Sequence, residues 1–241
     1  MKTCSLHAAI DLGAESGRVI LGKLEGGKIA IEEIHRFPNR MREDEGGLRW
    51  DLRHLKSEIL GGLIKIGERK VPLDSVSCDS WGVDYVLIPE DGSAPKDPYC
   101  YRDGRNERTF PKILQKVGKE EIFSQSGVQF LPFNTLYQVA ADGMEGRPDL
   151  AKARTLLPIA DYVNHFLGGR PVAEVSLAST TQFYNPRTRA WARDLVEGVG
   201  FPFRLLPPIV PSGTPLGKIS AATVQVTGLP ATCEVVASCS H

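Results

Sequence analysis

The sequence predicts an α/β domain in which a mixed sheet is flanked by helices. Three strand-like apolar segments come first, over residues 7–12, 18–24 and 28–37, and indicate a three-strand meander. A segment with helical spacing follows over residues 51–66, and two more strand-like segments lie at 75–78 and 83–88. Three strands, a helix and further strands is the order of a ribonuclease-H-like core, the unit of actin-like ATPases.

The boundaries of these first elements are marked by turn and cap residues. Gly26 and Gly27 indicate the turn between the second and third strands. Residues 41–47 are polar and contain glycine, so they predict a loop. Asp51 is the predicted N-cap of the helix. One face of that helix carries Leu52, Leu55, Ile59, Leu63 and Ile66.

Beyond residue 104 the pattern becomes helical and irregular. Helices are predicted over 109–117, 135–142 and 158–167, and the second begins with a possible capping box between Thr135 and Gln138. Prolines at 207, 208, 211 and 215 mark an extended connection, and residues 234–237 predict a last core strand. We therefore expect one domain over 1–241: a core at 1–104, an insertion at 105–215 and a closing strand at 233–238.

Composition argues against several classes of partner. The 241 residues include 29 Lys and Arg and 29 Asp and Glu, whereas nucleic-acid binding favours a basic surplus. No apolar run is long enough to span a bilayer, and the N-terminus lacks the apolar core of a signal peptide. The five cysteines are scattered, which is typical of reduced thiols. We expect a cytoplasmic protein without nucleic-acid or membrane partners.

The strongest candidate site is the segment Asp11-Leu12-Gly13-Ala14-Glu15-Ser16-Gly17-Arg18. A tight turn between two strands directs backbone N–H groups to one place, and small residues let a phosphate approach them. Asp11 is suited to hold Mg²⁺ through water, and Arg18 is a fixed positive charge suited to phosphate. The segment is also compatible with an ordinary β-hairpin turn rich in small residues, and both interpretations stay open.

A second candidate lies where one strand ends and the next begins, at Asp79-Ser80-Trp81-Gly82-Val83-Asp84. Gly82 lets a ligand lie against the backbone, Trp81 offers an apolar surface, and Asp84 is placed to accept a hydrogen bond from a sugar hydroxyl. A plain β-turn with a half-buried tryptophan is the alternative. Together, Asp11, Asp79 and Asp84 also suggest a rival function, a nuclease that holds two metal ions.

Two further polar segments have both structural and functional interpretations. The cluster Tyr101-Arg102-Asp103-Gly104-Arg105 predicts either an ion-paired loop or a polyol-binding edge. The run Gln129-Phe130-Leu131-Pro132-Phe133-Asn134-Thr135 combines aromatic and amide groups before a helix, and predicts packing and a cap.

Taken together and in order, these segments resemble the rhamnulokinases of the FGGY carbohydrate kinase family. The resemblance also covers Glu33-Ile34-His35-Arg36-Phe37, Trp50-Asp51, the stretch from Ser126 to Gln138, and Ser179-Thr180-Thr181-Gln182. It implies two actin-like domains that close over a cleft, of which this chain is the N-terminal one. It also implies an ATP- and Mg²⁺-dependent kinase that converts L-rhamnulose to L-rhamnulose 1-phosphate in rhamnose breakdown.

The resemblance assigns roles to individual residues. Ala14, Glu15, Ser16, Gly17 and Arg18 are expected to contact the phosphates of ATP, and Gly82 and His241 the sugar. Glu15 departs from the family, where a small or hydroxyl residue is commoner, so we expect its side chain to point outward.

The resemblance also places the catalytic aspartate immediately after a histidine that ends the last strand. His241 is the last residue here. We therefore expect no catalytic base in this chain, a missing C-terminal domain as its natural partner, and no useful turnover by the chain alone. A non-catalytic module that binds sugar or phosphate is the second interpretation, and the metal-dependent nuclease is the third.

Overall fold

The computed structural model describes residues 4–240. In chain order the strands are β1 (Cys4–Leu12), β2 (Ser16–Glu25), β3 (Lys28–Pro38), β4 (Met41–Asp44), β5 (Gly47–Trp50), β6 (Ser75–Ser80), β7 (Tyr85–Pro89), β8 (Ala153–Pro158), β9 (Ala173–Glu174), β10 (Tyr184–Asn185), β11 (Ala190–Trp191), β12 (Ile209–Val210), β13 (Pro215–Lys218) and β14 (Glu234–Ser240). The helices are α1 (Leu52–Gly67), α2 (Arg105–Val117), α3 (Lys119–Ser126), α4 (Thr135–Met144), α5 (Pro148–Ala151), α6 (Ile159–Leu167), α7 (Val175–Thr180), α8 (Arg193–Gly198) and α9 (Ala221–Thr227), with a 3₁₀-helix at Phe203–Leu205.

A six-stranded mixed sheet with the order β13-β14-β6-β1-β2-β3 forms the centre of the fold. The first three strands are an antiparallel meander, and β6 and β14 run parallel to β1. This arrangement confirms the predicted ribonuclease-H-like class, since the meander, the helix and the later parallel strands occur in the expected order. Within the described residues, no helix is long and apolar enough to cross a membrane.

Helix α1 covers the sheet because its apolar residues recur on one face. Leu55, Ile59 and Leu63 of that face are buried, as the spacing predicts. Asp51 is the N-cap, and its carboxylate accepts a hydrogen bond of 2.9 Å from the amide of His54. The predicted start of α1 is therefore confirmed.

A second hydrophobic core lies in the segment between β7 and β13. It is built mainly from apolar side chains of α2, α3, α4, α8 and the β7–β8 pair, and includes Tyr137, Phe183 and Leu195. This segment carries α4 and α7, whose side chains bond Asp84 and Val83 just beyond the end of β6.

Several predicted elements differ from the structure. Residues 41–47, predicted as a loop, begin a hairpin in which β4 pairs with β5, and its turn residues Glu45 and Gly46 both have positive φ angles of 48° and 76°. The strand predicted over 83–88 starts at Tyr85 and pairs with β8 outside the main sheet. Helix α2 starts at Arg105, four residues before its predicted start at Thr109.

The predicted capping box of α4 is also wrong. Asn134 precedes the helix as N-cap without a side-chain capping bond. The hydroxyl of Thr135 donates instead to the carbonyl of Val83 (2.6 Å), and the amide of Gln138 donates to the carboxylate of Asp84 (2.9 Å). Both side chains therefore bond residues beyond the end of β6 and do not cap the helix.

Candidate functional site

The two candidate segments meet at one edge of the main sheet. Strands β1, β6 and β14 are parallel, so their carboxyl ends lie side by side, with Leu12 next to Ser80 and Ser80 next to Ser240. The β1–β2 turn and the segment that follows β6 leave the sheet at this edge. In open α/β sheets, ligands bind outside the carboxyl ends of the strands.

In the β1–β2 turn, backbone amide groups point away from Asn39, the residue that follows β3. The amide of Gly13 donates to the carbonyl of Ser16 (2.9 Å) and closes the turn. The carbonyls of Gly13 and Glu15 accept hydrogen bonds from Asn39, at 3.2 and 2.9 Å. Because the peptide bonds are trans, the amides of Ala14 and Ser16 point to the side opposite Asn39. The two amides therefore lie on the same side of the turn.

Packing inside the turn requires a glycine at position 17. A Cβ atom there would lie 2.2 to 2.9 Å from three carbons of the buried Phe37 ring. The side chain of Glu15 is exposed, which agrees with the expectation that it points outward. The backbone at Gly17 is therefore packed against Phe37, whereas the Glu15 side chain faces solvent.

Asp11 and Arg18 face each other across the hairpin and form an ion pair. Their side chains are 22% and 40% exposed, so both groups remain accessible. A partly hydrated Mg²⁺ is usually bound by one or two carboxylates together with phosphate oxygens, and Arg18 supplies positive charge for those oxygens. The residues present therefore fit a magnesium–phosphate group.

The rival two-metal nuclease receives no support from the same region. Among residues 4–240, no group of three or more His, Cys, Asp or Glu side chains is placed to hold a metal ion. Asp84, the third acid of that hypothesis, is buried behind the cleft described below.

A cleft of about 330 Å³ opens at the end of β6, and this volume is typical of a small-molecule site. It is lined by Trp81, Gly82, Val83, Tyr101, Phe133, Thr180 and Ser240. Tyr101 and Phe133 contact each other edge to face with ring centroids 5.8 Å apart. The lining is largely apolar and aromatic, with hydroxyl groups at the rim, and this combination suits the C–H faces and hydroxyls of a sugar.

Gly82 borders the cleft and is also required by the protein's own packing. A Cβ atom on Gly82 would lie 2.7 Å from both Cγ2 and Oγ1 of Thr180. Gly82 therefore lies at the cleft, and Thr180 is a neighbour of Gly82 that sequence reasoning did not identify. His241, the other predicted sugar contact, lies outside the described residues.

Val83 has a backbone conformation that valine rarely adopts. Its φ angle is +70°, in the left-handed region, where a β-branched residue costs of order 1–3 kcal/mol. Its amide donates to Thr180 Oγ1 (3.1 Å), and its carbonyl accepts from Thr135 Oγ1 (2.6 Å) and Gln138 Nε2 (3.2 Å). These three bonds hold the strained peptide beside the cleft.

Asp84 has a different role from the predicted sugar contact. Its buried carboxylate accepts hydrogen bonds from the indoles of Trp50 (2.6 Å) and Trp81 (3.0 Å), from Gln138 (2.9 Å) and from the amide of Tyr101 (3.2 Å). Burial raises the pKa of Asp84 to about 6, although the four donors oppose that rise. Asp84 therefore fixes the aromatic lining from behind and is not exposed to a ligand.

The residues of the polar cluster at 101–105 have different surroundings. Tyr101 reaches the cleft, whereas Asp103 accepts bonds from the amides of Leu48 (2.6 Å) and Arg105 (2.8 Å). The Arg105 guanidinium is buried and ion-paired with Asp142.

Thr180 and Gln138 were missed as site residues. Thr180 bonds Val83, which is 97 residues away in the sequence, and Gln138 bonds Asp84, which is 54 residues away. No local sequence pattern predicts such contacts.

Comparison with known proteins decides the family of this chain. The sequence model described as the FGGY family of carbohydrate kinases, N-terminal domain, matches residues 6–241. The chain belongs to the FGGY family of carbohydrate kinases.

Curated relatives include proteins named rhamnulokinase from several bacteria. The chain is 38% identical to the one from Enterococcus faecalis over 225 residues, which cover 93% of this chain and 45% of the relative. It is 37% identical to the one from Bacillus subtilis over 236 residues, which cover 98% of this chain and 48% of the relative. The chain thus spans about half the length of the curated relatives it matches.

Solved structures agree on the fold. A xylulose kinase from Lactobacillus acidophilus superposes with a TM-score of 0.86 at 14% identity, covering 98% of this chain and 48% of that one. A gluconate kinase from the same organism gives 0.85 at 16% identity, with the same coverage. The FGGY kinase fold predicted from the sequence is confirmed.

Proposed function

We propose that this chain is the sugar- and phosphate-binding half of an ATP- and Mg²⁺-dependent ketose kinase, which converts L-rhamnulose to L-rhamnulose 1-phosphate in rhamnose breakdown. The observation that carries the proposal is that the small-residue turn between β1 and β2 and the aromatic cleft lie at the same end of the parallel strands. The relatives named rhamnulokinase support the choice of sugar.

Each part of the site has a task in this reaction. The amides of the turn bind phosphate oxygens, with Arg18 supplying charge and Asp11 holding the hydrated Mg²⁺. The cleft holds the sugar against Trp81 and Gly82 and excludes water from its apolar face. Phosphoryl transfer depends mainly on such positioning and charge stabilisation.

The proton acceptor for the sugar hydroxyl and a second domain that closes the cleft are proposed to lie in the half of the relatives' length that this chain does not cover. Loss of a general base costs typically 10²–10⁴-fold in rate, and an open cleft admits water. We therefore expect the 241-residue chain to fold without sugar-dependent turnover.

The test compares ATP consumption by the 241-residue chain and by the full-length protein, each with and without L-rhamnulose. Sugar-dependent turnover is expected only from the full-length protein. Turnover of the shorter chain near the full-length rate would place the base within residues 1–241 and contradict the proposal. A full-length protein that binds sugar but never consumes ATP would instead identify a non-catalytic binding module.

A further inference from the structure

The end of β14 forms part of the cleft, and its position depends on a contact outside the sheet. From Glu234 to Ala237, β14 follows β6 residue by residue, up to the pair Ala237–Cys78. The next pair is Ser240–Ser80, so three steps on β14 match two on β6. This bulge redirects the end of the strand. The amide of Ser240 donates to the hydroxyl of Ser176 on α7, at 2.8 Å.

From this contact we propose that Glu174 and Ser176 are positioning residues that hold the Ser240 end of β14 at the rim of the cleft. The kinetic consequence of this proposal rests on the proposed function, whereas the structural claim does not.

The direction of the Ser176 hydroxyl follows from its partners. Its Oγ atom contacts Oε2 of Glu174 and the amide nitrogen of Ser240. A carboxylate only accepts hydrogen bonds, and an amide N–H only donates them. The Ser176 hydroxyl therefore donates to the Glu174 carboxylate and accepts from the amide of Ser240. The charge on Glu174 therefore polarises the hydroxyl that accepts from the strand end.

Glu174 is well fixed for this role. It is fully buried, and its Oε2 also accepts from the amides of Ser176 (2.8 Å) and Leu177 (3.2 Å). Its Oε1 accepts from Ser212 Oγ (2.6 Å), and its own amide donates to Asp161 Oδ2 (2.9 Å).

Capping of α7 explains why Glu174 accepts from the amides of Ser176 and Leu177. It does not explain the hydrogen bond from the Ser240 amide of β14 to the Ser176 hydroxyl. Helix α7 ends at Thr180, which lines the same cleft. One short helix therefore sets the positions of both Thr180 and Ser240, and both residues line the space where the sugar is proposed to lie. In the proposed function the chain continues from this strand end to the proton acceptor.

The experiment uses S176A in the full-length protein, with S212A as the matched control. Both variants remove one hydroxyl from the same carboxylate, but only the Ser176 hydroxyl accepts from the amide of Ser240. Amide hydrogen exchange of the peptide that contains Ser240 is expected to quicken about 10-fold or more in S176A and to stay within about twofold in S212A. Unchanged exchange in S176A would overturn the proposal.

The isosteric pair S176T and S176V repeats the comparison if S176A does not fold. These side chains differ only by a hydroxyl against a methyl group, so S176T is expected to retain slow exchange and S176V to lose it. Equal exchange in the two would also overturn the proposal.

Kinetics provide the second measurement. We expect kcat with L-rhamnulose to fall about 10-fold or more in S176A while the KM for ATP is unchanged, and S176T to recover the rate. If S176A speeds amide exchange at Ser240 but leaves kcat unaltered, the kinetic consequence of the proposal is overturned. If the wild-type protein phosphorylates no sugar, the proposed function fails, and the exchange measurement still decides the structural claim.

Discussion

Replacement of Gly82 by alanine will place a methyl group against Thr180. The new Cβ would lie 2.7 Å from two side-chain atoms of Thr180 and 2.9 Å from its Cβ. Thr180 cannot easily move, because its hydroxyl donates to the carbonyl of Leu177 (2.8 Å) and accepts from the amide of Val83. The φ angle of Gly82 lies outside the left-handed region, so the methyl contact is the main cost.

Overpacking of this kind costs about 1–3 kcal/mol. For a chain of this size, a loss of about 2 kcal/mol lowers Tm by roughly 4–8 °C. The assay is a thermal melt of the 241-residue chain carrying G82A, T180A or both. The double variant is expected to lose about 1 kcal/mol less than the sum of the single variants, because T180A removes the two closest of the three obstructing atoms.

The matched control is Gly61 in α1, where an added Cβ meets no atom within 4 Å. G61A is expected to stabilise the protein by roughly 0.5–1 kcal/mol, since alanine favours a helix over glycine. If G82A has the same Tm as the wild type, or if the stability losses of G82A and T180A simply add in the double variant, the close packing of Gly82 against Thr180 is refuted.

Two further predictions concern carboxylates. Burial and, after it, the negative charge of Glu174 raise the pKa of Asp161 from 3.8 to about 7. The stabilisation that comes from protonated Asp161 is therefore fully present below about pH 4 and is lost as pH rises through 7. D161N, a neutral isostere, should therefore gain stability relative to wild type as pH rises from 5 to 8, by about 3 kcal/mol in unfolding free energy, since about two pH units of that window lie below the folded pKa; a constant difference across that range would contradict the assignment. D11N in the full-length protein should raise the Mg²⁺ concentration for half-maximal rate about 10- to 100-fold, with the exposed Asp91 as the D91N control. An unchanged Mg²⁺ requirement in D11N would remove Asp11 from the metal site.

Local patterns were sufficient to predict α1 and five of the six strands of the main sheet, but not β13, which the proline pattern predicted only as an extended connection. The apolar spacing of α1 and the Asp51 cap depend on residues close in sequence, and both are present in the structure. The turn at 11–18 was likewise visible, because a run of small residues between two strands has a local signature. Its register, with Asp11 opposite Arg18, follows directly from the hairpin.

Contacts between distant segments decided the parts that sequence reasoning missed. Thr135 and Gln138 form a capping pattern, yet their side chains bond Val83 and Asp84 because the fold brings α4 against the end of β6. The left-handed Val83 had no signal in the sequence either, since valine disfavours that conformation and only tertiary hydrogen bonds maintain it.

The chemical identity of the product tests the central claim most directly. The full-length protein should be incubated with Mg-ATP and, separately, L-rhamnulose, L-fuculose, D-xylulose or glycerol, and the sugar phosphates identified by NMR. We expect L-rhamnulose 1-phosphate to form with the highest kcat/KM. Preferred phosphorylation of glycerol or D-xylulose would contradict the proposed sugar, and the absence of any sugar phosphate would contradict the kinase itself.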